Sequence, residues 1–188
     1  SHQHAPMTYR PKFPVLLRPA VSALLRALPF AELACAKDGF TVLFQGEQLS
    51  IPYRIYCASH NLRSVIADAS GDTRILALCI GTRHWDGYVR EECLRQLIGT
   101  DRTWVVPFVV QLLGEYVVEI AEVISAALPE VDTAQFSAFA RENPNFMAIT
   151  RQRVTSYWDC YYRARFQTLQ AYPAFIALEA IEKMALTT

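Results

Sequence analysis

The stretch WVVPFVVQLLGEYVVEIAEVISAALP, from Trp104 to Pro129, decides how this chain folds. Its first half is apolar on every side: the 12 residues from Thr103 to Gly114 carry no charge and hold Pro107. A run of that length is too short to cross a bilayer and reads as a helix buried in protein. Asp101 is placed to cap it and Gly114 to end it. The second half divides into faces. At about 100° per residue, Val117, Ala121, Ile124 and Leu128 gather on one side of a helix over Glu115–Leu128, and Glu115, Glu119 and Glu122 line the other.

Outward from this centre the pattern stays helical from about Leu62 to near the end. Asp72 is placed to cap a helix reaching Ile80, with Gly81 as its stop, and Gly87–Ile98 reads as the next, stopped by Gly99. Asp132 starts a helix that ends at Asn143-Pro144, a long helix covers roughly Asn145–Gln170, and Pro173 opens the last, to about Ala185. Toward the N-terminus, Val21, Leu24, Leu25 and Leu28 mark one face of a short amphipathic helix between Pro19 and Pro29. Arg18 and Arg26 interrupt the apolar core that a secretory signal would need there. Between these helical regions the period changes to two. Phe40, Val42 and Phe44 alternate, Gln45-Gly46-Glu47-Gln48 turns, and Leu49, Ile51, Tyr53 and Ile55 alternate again: a β-hairpin, with Pro52 where it cannot donate to the ladder.

Composition supports a folded chain. Of 188 residues, 52% are hydrophobic and 12% aromatic, which excludes a disordered chain and allows one domain with a sizeable core. Eighteen bases balance 18 acids, against a dedicated nucleic-acid binder. The balance is uneven, with six bases to three acids over residues 1–60 and six to nine over 61–128. Five scattered cysteines, an odd number, point to a reduced, cytoplasmic protein. Residues 1–6, with His2 and His4, read as a cloning remnant, and residues 7–188 as a single domain, since no linker or low-complexity tract divides them.

Gly87-Tyr88-Val89-Arg90-Glu91 has an echo 28 residues later in Glu115-Tyr116-Val117-Val118-Glu119, with the proline-bearing apolar helix between them. Over about residues 86–128 the chain resembles HEAT-type helical repeats, and the resemblance implies a curved helix-pair scaffold that binds another protein. An ordinary helical bundle is the alternative.

Four groups of residues hold candidate chemistry. Glu115, Glu119 and Glu122 form either a solvated face or an acidic docking surface. Arg151–Phe166 (RQRVTSYWDCYYRARF) sets four arginines among five aromatic rings; Trp158, Tyr162 and Phe166 share one helical face, and Tyr157, Tyr161 and Arg165 another. Such stripes are core rings with snorkelling arginines, or interface anchors, or less readily a stacking surface for nucleobases. Cys57-x2-His60 and Cys79-x4-His84 could supply four zinc ligands, although Cys79 sits in an apolar helix. His84, Asp86 and Cys93 could supply base, orienting carboxylate and thiolate for a hydrolase, although Asp86 is equally placed to cap the helix after it. There is no glycine-rich phosphate loop and no G-x-S-x-G, which weighs against an enzyme; no cofactor is expected.

The sequence therefore predicts a mainly α fold, a helical bundle or short α-α superhelix of seven or eight helices with one N-terminal β-hairpin. Its expected function is non-enzymatic protein binding, as an adaptor, inhibitor or immunity-type protein, through Glu115, Glu119, Glu122, Trp158, Tyr162 and Arg165. Self-association is a further expectation, membrane insertion is not expected, and a Cys/His/Asp hydrolase is the runner-up.

Overall fold

The structure is a computed structural model that describes residues 10–28 and 34–187. Residues 1–6, read above as a cloning remnant, and Pro29 lie outside the described residues. The chain is mainly α with one β-hairpin near its N-terminus, and its contacts group into two compact units that divide between Val89 and Arg90.

In the first unit, a 3₁₀ turn over Val15–Leu17 leads into α1 (Arg18–Ala27), with Pro19 in its opening turn, where its missing N–H costs nothing. Ala20, Leu24 and Leu28 are its buried side. A two-residue strand, β1 (Ala34–Cys35), precedes the hairpin of β2 (Gly39–Phe44) and β3 (Glu47–Pro52). The hairpin register runs from Phe44↔Glu47 to Gly39↔Pro52. Its turn is only Gln45-Gly46, both at positive φ (50° and 83°), a primed turn whose twist suits the paired strands. Phe40, Val42, Phe44, Leu49 and Ile51 are buried, so the alternation read from the sequence is the packing face. Pro52 ends its strand opposite Gly39. Ser50 exchanges backbone hydrogen bonds with Lys12, which covers the far edge of β3.

A second ladder, which no sequence pattern announces, pairs β1 with β4 (Ile55–Tyr56). Two residues are too few for a periodic signal to emerge. Next come α2 (Ser59–Asp68) and α3 (Gly71–Gly81), with α3 packed on α1 and α2. Ser70, rather than Asp72, occupies the cap position of α3, and Asp72 lies in its first turn. From Leu76 to Gly81 every residue of α3 is buried. The helix α4 (Gly87–Leu97) runs through the point at which the units divide.

In the second unit the uncharged run resolves into a 3₁₀ turn, Thr103–Val105, and α5 (Val106–Leu113). Pro107 is therefore in the first turn of α5, not in its interior, and Asp101 does not cap it. All eight residues of α5 are buried. It contacts α6 (Val118–Ala127), α7 (Thr133–Glu142), α8 (Pro144–Tyr157) and α9 (Pro173–Thr187). A central position among its own chain's helices thus accounts for its apolar circumference. The α6 and α7 helices pack most extensively on α9, whose Ala174, Phe175, Ala177, Leu178 and Ile181 are buried. Asp132 caps α7 as its side chain accepts from Ala134 N at 3.0 Å. Among the described residues there are nine α-helices, slightly more than expected, and no helix is long and apolar enough to cross a membrane.

Candidate protein-binding site

Two of the expected helices are cut short, and both changes create the site. The helix read over Glu115–Leu128 begins only at Val118, because Val117 is extended (φ −80°, ψ 103°) and Gly114 to Tyr116 form the turn after α5. The long helix read over Asn145–Gln170 stops at Tyr157, passes through a π-helical turn over Trp158–Tyr162, and is irregular before a 3₁₀ turn at Leu169–Ala171. The π turn holds one residue more than an α turn and rotates the chain beyond it, yet Phe166 stays with Tyr162: its N–H donates to the Tyr162 carbonyl at 2.8 Å and the two ring centroids lie 6.5 Å apart.

These two irregular segments meet. The ring of Tyr116 lies 6.0 Å from that of Tyr157, 5.2 Å from Tyr161 and 5.5 Å from Tyr162, with Tyr161 edge-on at 87°. The Tyr162 hydroxyl donates to the Tyr116 carbonyl at 2.5 Å, and its ring stacks on buried Tyr172 at 5.4 Å. Offset and edge-on contacts of this kind are worth about 0.5–1.5 kcal/mol per pair beyond area burial. Five of the nine tyrosines thus form one cluster, from Tyr172 at 1% exposure outward to Tyr116 at 52% and Tyr161 at 62%. Burial is the main reason that the Tyr162 phenol is pushed up to about 12, with the nearby Tyr116 and Glu119 adding to it. Tyr172 is pushed up as well, chiefly by burial.

Charge lies beside the rings. Arg165 reaches Glu119 at 3.6 Å and Glu122 at 3.3 Å, all three side chains being exposed. The acidic stripe and the aromatic–arginine segment, separate candidates in the sequence, are therefore a single surface. Glu115 is not part of it. Its side chain is 9% exposed, accepts from Gln111 at 3.3 Å and lies 3.9 Å from the equally buried Arg90. Trp158 is half-buried: its indole N–H donates to the Phe166 carbonyl at 2.8 Å, and the Arg163 guanidinium covers its ring at 4.7 Å while pairing with Asp159. Of residues 151–166 only Val154 is buried, so the segment is surface rather than core. Sequence reasoning places Tyr161 on a candidate face with Tyr157 and Arg165 but misses Tyr116, which carries a signal only as the matching tyrosine of the 28-residue echo.

The other candidates resolve differently. His84 is fully buried in the turn after α3. Its Nδ1 accepts from the Asp86 backbone N–H at 3.1 Å, which leaves the proton on Nε2, and that nitrogen donates to the Cys57 carbonyl at 2.7 Å. Such an imidazole has no lone pair left for a general base. The Asp86 carboxylate accepts from Tyr88 N at 2.9 Å, as a cap for α4, and Cys93 is buried on that helix. The zinc reading fails on the same histidine. Cys79 is buried within α3, His60 lies in the exposed first turn of α2, and among the described residues no three His, Cys, Asp or Glu side chains come together in a way that could hold a metal. The two halves of the 28-residue echo also differ in setting: Gly87 opens α4, whereas Glu115, Tyr116 and Val117 precede α6. Comparison with family models, with curated proteins and with solved structures finds no match to this chain.

Proposed function

We propose that the protein is a non-enzymatic protein-binding module, and that its binding face is the surface of Tyr116, Tyr157, Tyr161 and Arg165 with Glu119 and Glu122. The observation that carries this reading is the outward end of the tyrosine cluster. Two large rings stand more than half exposed on a base of buried Tyr172, beside charges of both signs. Tyrosine and arginine anchors on a rigid support, rimmed by polar groups, are what protein interfaces use. Rings already held by their neighbours lose little side-chain freedom when a partner covers them.

The HEAT-like reading of residues 86–128 belongs with this proposal. The direct packing of α5 on α6 supports a helix-pair scaffold, of which Tyr116 occupies the connecting turn. A cytoplasmic setting and an adaptor, inhibitor or immunity-type role are part of the same proposal. The test compares wild-type protein with Tyr161→Ala and Arg165→Glu as baits in source-cell lysate, with light scattering for self-association. A partner, or a second copy, held by the wild type and lost by both variants at unchanged thermal stability is the expected result. Retention of every bound species by both variants would overturn the choice of face.

A further inference from the structure

We propose that Cys35 and Cys57 form a reversible intramolecular disulfide across the ladder of β1 and β4. The antiparallel register places Ala34 opposite Tyr56 and Cys35 opposite Ile55. Cys57 follows directly on the end of β4, and carrying the strand's alternation on by that one residue puts it on the face of Ile55 and Cys35, as the diagonal neighbour of Cys35. Both are half-buried, open to a small reagent, whereas Cys79 and Cys93 are fully enclosed. Burial pushes both thiols up, and the nearness of Cys35 pushes Cys57 up further, so the two sulfurs sense each other's charge.

Diagonal neighbours in a ladder have Cα atoms about 7–8 Å apart, against about 4.4–6.8 Å in a disulfide. Oxidation therefore draws the strands together by roughly 1 Å. Among the described residues this ladder consists of two residue pairs continued by one bond, Ala36 N to the Arg54 carbonyl at 2.9 Å, so it can yield. Residual strain makes the bond easily reduced, the property of labile rather than structural disulfides. The closure fastens β1 to a segment that is already anchored, since the Cys57 carbonyl accepts from both His84 Nε2 and the Trp85 indole.

The oxidant is a small disulfide such as oxidised glutathione. One cysteine thiolate attacks a glutathione sulfur, forming a mixed disulfide and expelling one glutathione thiolate. The second cysteine gives its proton to solvent and attacks the protein sulfur of that mixed disulfide, forming the internal bond and expelling the second glutathione. Two protein thiols are oxidised and one glutathione disulfide is reduced to two thiols.

The test uses the folded full chain in a Cys160→Ser background, which removes the exposed thiol on the π turn. It is treated with oxidised glutathione, alkylated, and mapped by mass spectrometry without reduction. The expected result is a linked Cys35–Cys57 peptide that disappears on adding dithiothreitol, with Cys79 and Cys93 unmodified and the midpoint of thermal unfolding raised by several degrees. Cys35→Ser should instead trap glutathione on Cys57. Glutathione on both cysteines of one molecule without a linked peptide, or a linked peptide formed only in denaturant, would overturn the proposal.

Discussion

The turn around His84 and the patch around Tyr116 both draw on aromatic, carboxylate and guanidinium side chains, yet they are built in opposite ways. At the turn the side-chain hydrogen bonds run to backbone. His84 uses both ring nitrogens on main-chain groups, Thr82 Oγ1 donates to the Cys79 carbonyl at 2.6 Å, and buried Arg83 reaches the Tyr53 carbonyl at 3.3 Å while its guanidinium lies 5.8 Å from the Phe40 ring centroid. At the patch the polar and aromatic groups mostly touch one another, and the outermost stand in solvent. A side chain that completes the backbone's hydrogen bonding holds the fold together and has nothing to offer a ligand. One held by its neighbours with a face left open can exchange water for a partner at small cost.

That contrast can be broken by measurement. The largest effect is expected in the core: Leu178→Ala, fully buried on the helix α9 against which α6 and α7 pack, should cost about 2–5 kcal/mol in denaturant unfolding. His84→Ala should cost about 1–3 kcal/mol, because it leaves the Asp86 N–H without its acceptor. If the cost is near zero, the imidazole does not hold the turn together. Gly46→Ala puts a Cβ on a residue at φ 83° and should cost about 1–2 kcal/mol through the hairpin turn alone. Tyr161→Ala and Arg165→Ala should change stability by less than about 1 kcal/mol, since the ring and the ion pairs are exposed. A large loss at Tyr161 would make the patch a part of the core rather than a binding face. The finest distinction is in titration. The folded Tyr162 ionises near 12, above its ordinary value of 10.0, so its share of stability is fully present below pH 10 and is lost as pH rises from there toward 12. Tyrosinate absorbance should show a late-ionising component that is diminished in Tyr162→Phe.

Much of the fold is legible in the sequence, for identifiable reasons. The alternation of Phe40, Val42 and Phe44 and the Gln45-Gly46 turn mark the hairpin because a half-buried strand has a period of two. Asp132, Asn143-Pro144 and Pro173 mark helix ends because caps and prolines act locally. The early stop at Tyr157 and the late start at Val118 are not legible, since the residues beyond each are ordinary helix formers and what displaces them is contact with each other. For that reason the sequence shows the acidic stripe and the aromatic segment only as separate candidates, and leaves Tyr116 unmarked as a contact.

By itself the sequence determined the mainly α class, the place of the hairpin and the burial of the run through Leu113, because each arises from patterns within a few residues. Only the tertiary structure decided that His84 serves backbone rather than chemistry, that Glu115 is withdrawn, and that Glu119, Glu122 and Arg165 share one surface with Tyr116 and Tyr161. Those outcomes depend on residues some 25 to 46 positions apart. No local periodicity carries that information; packing alone supplies it.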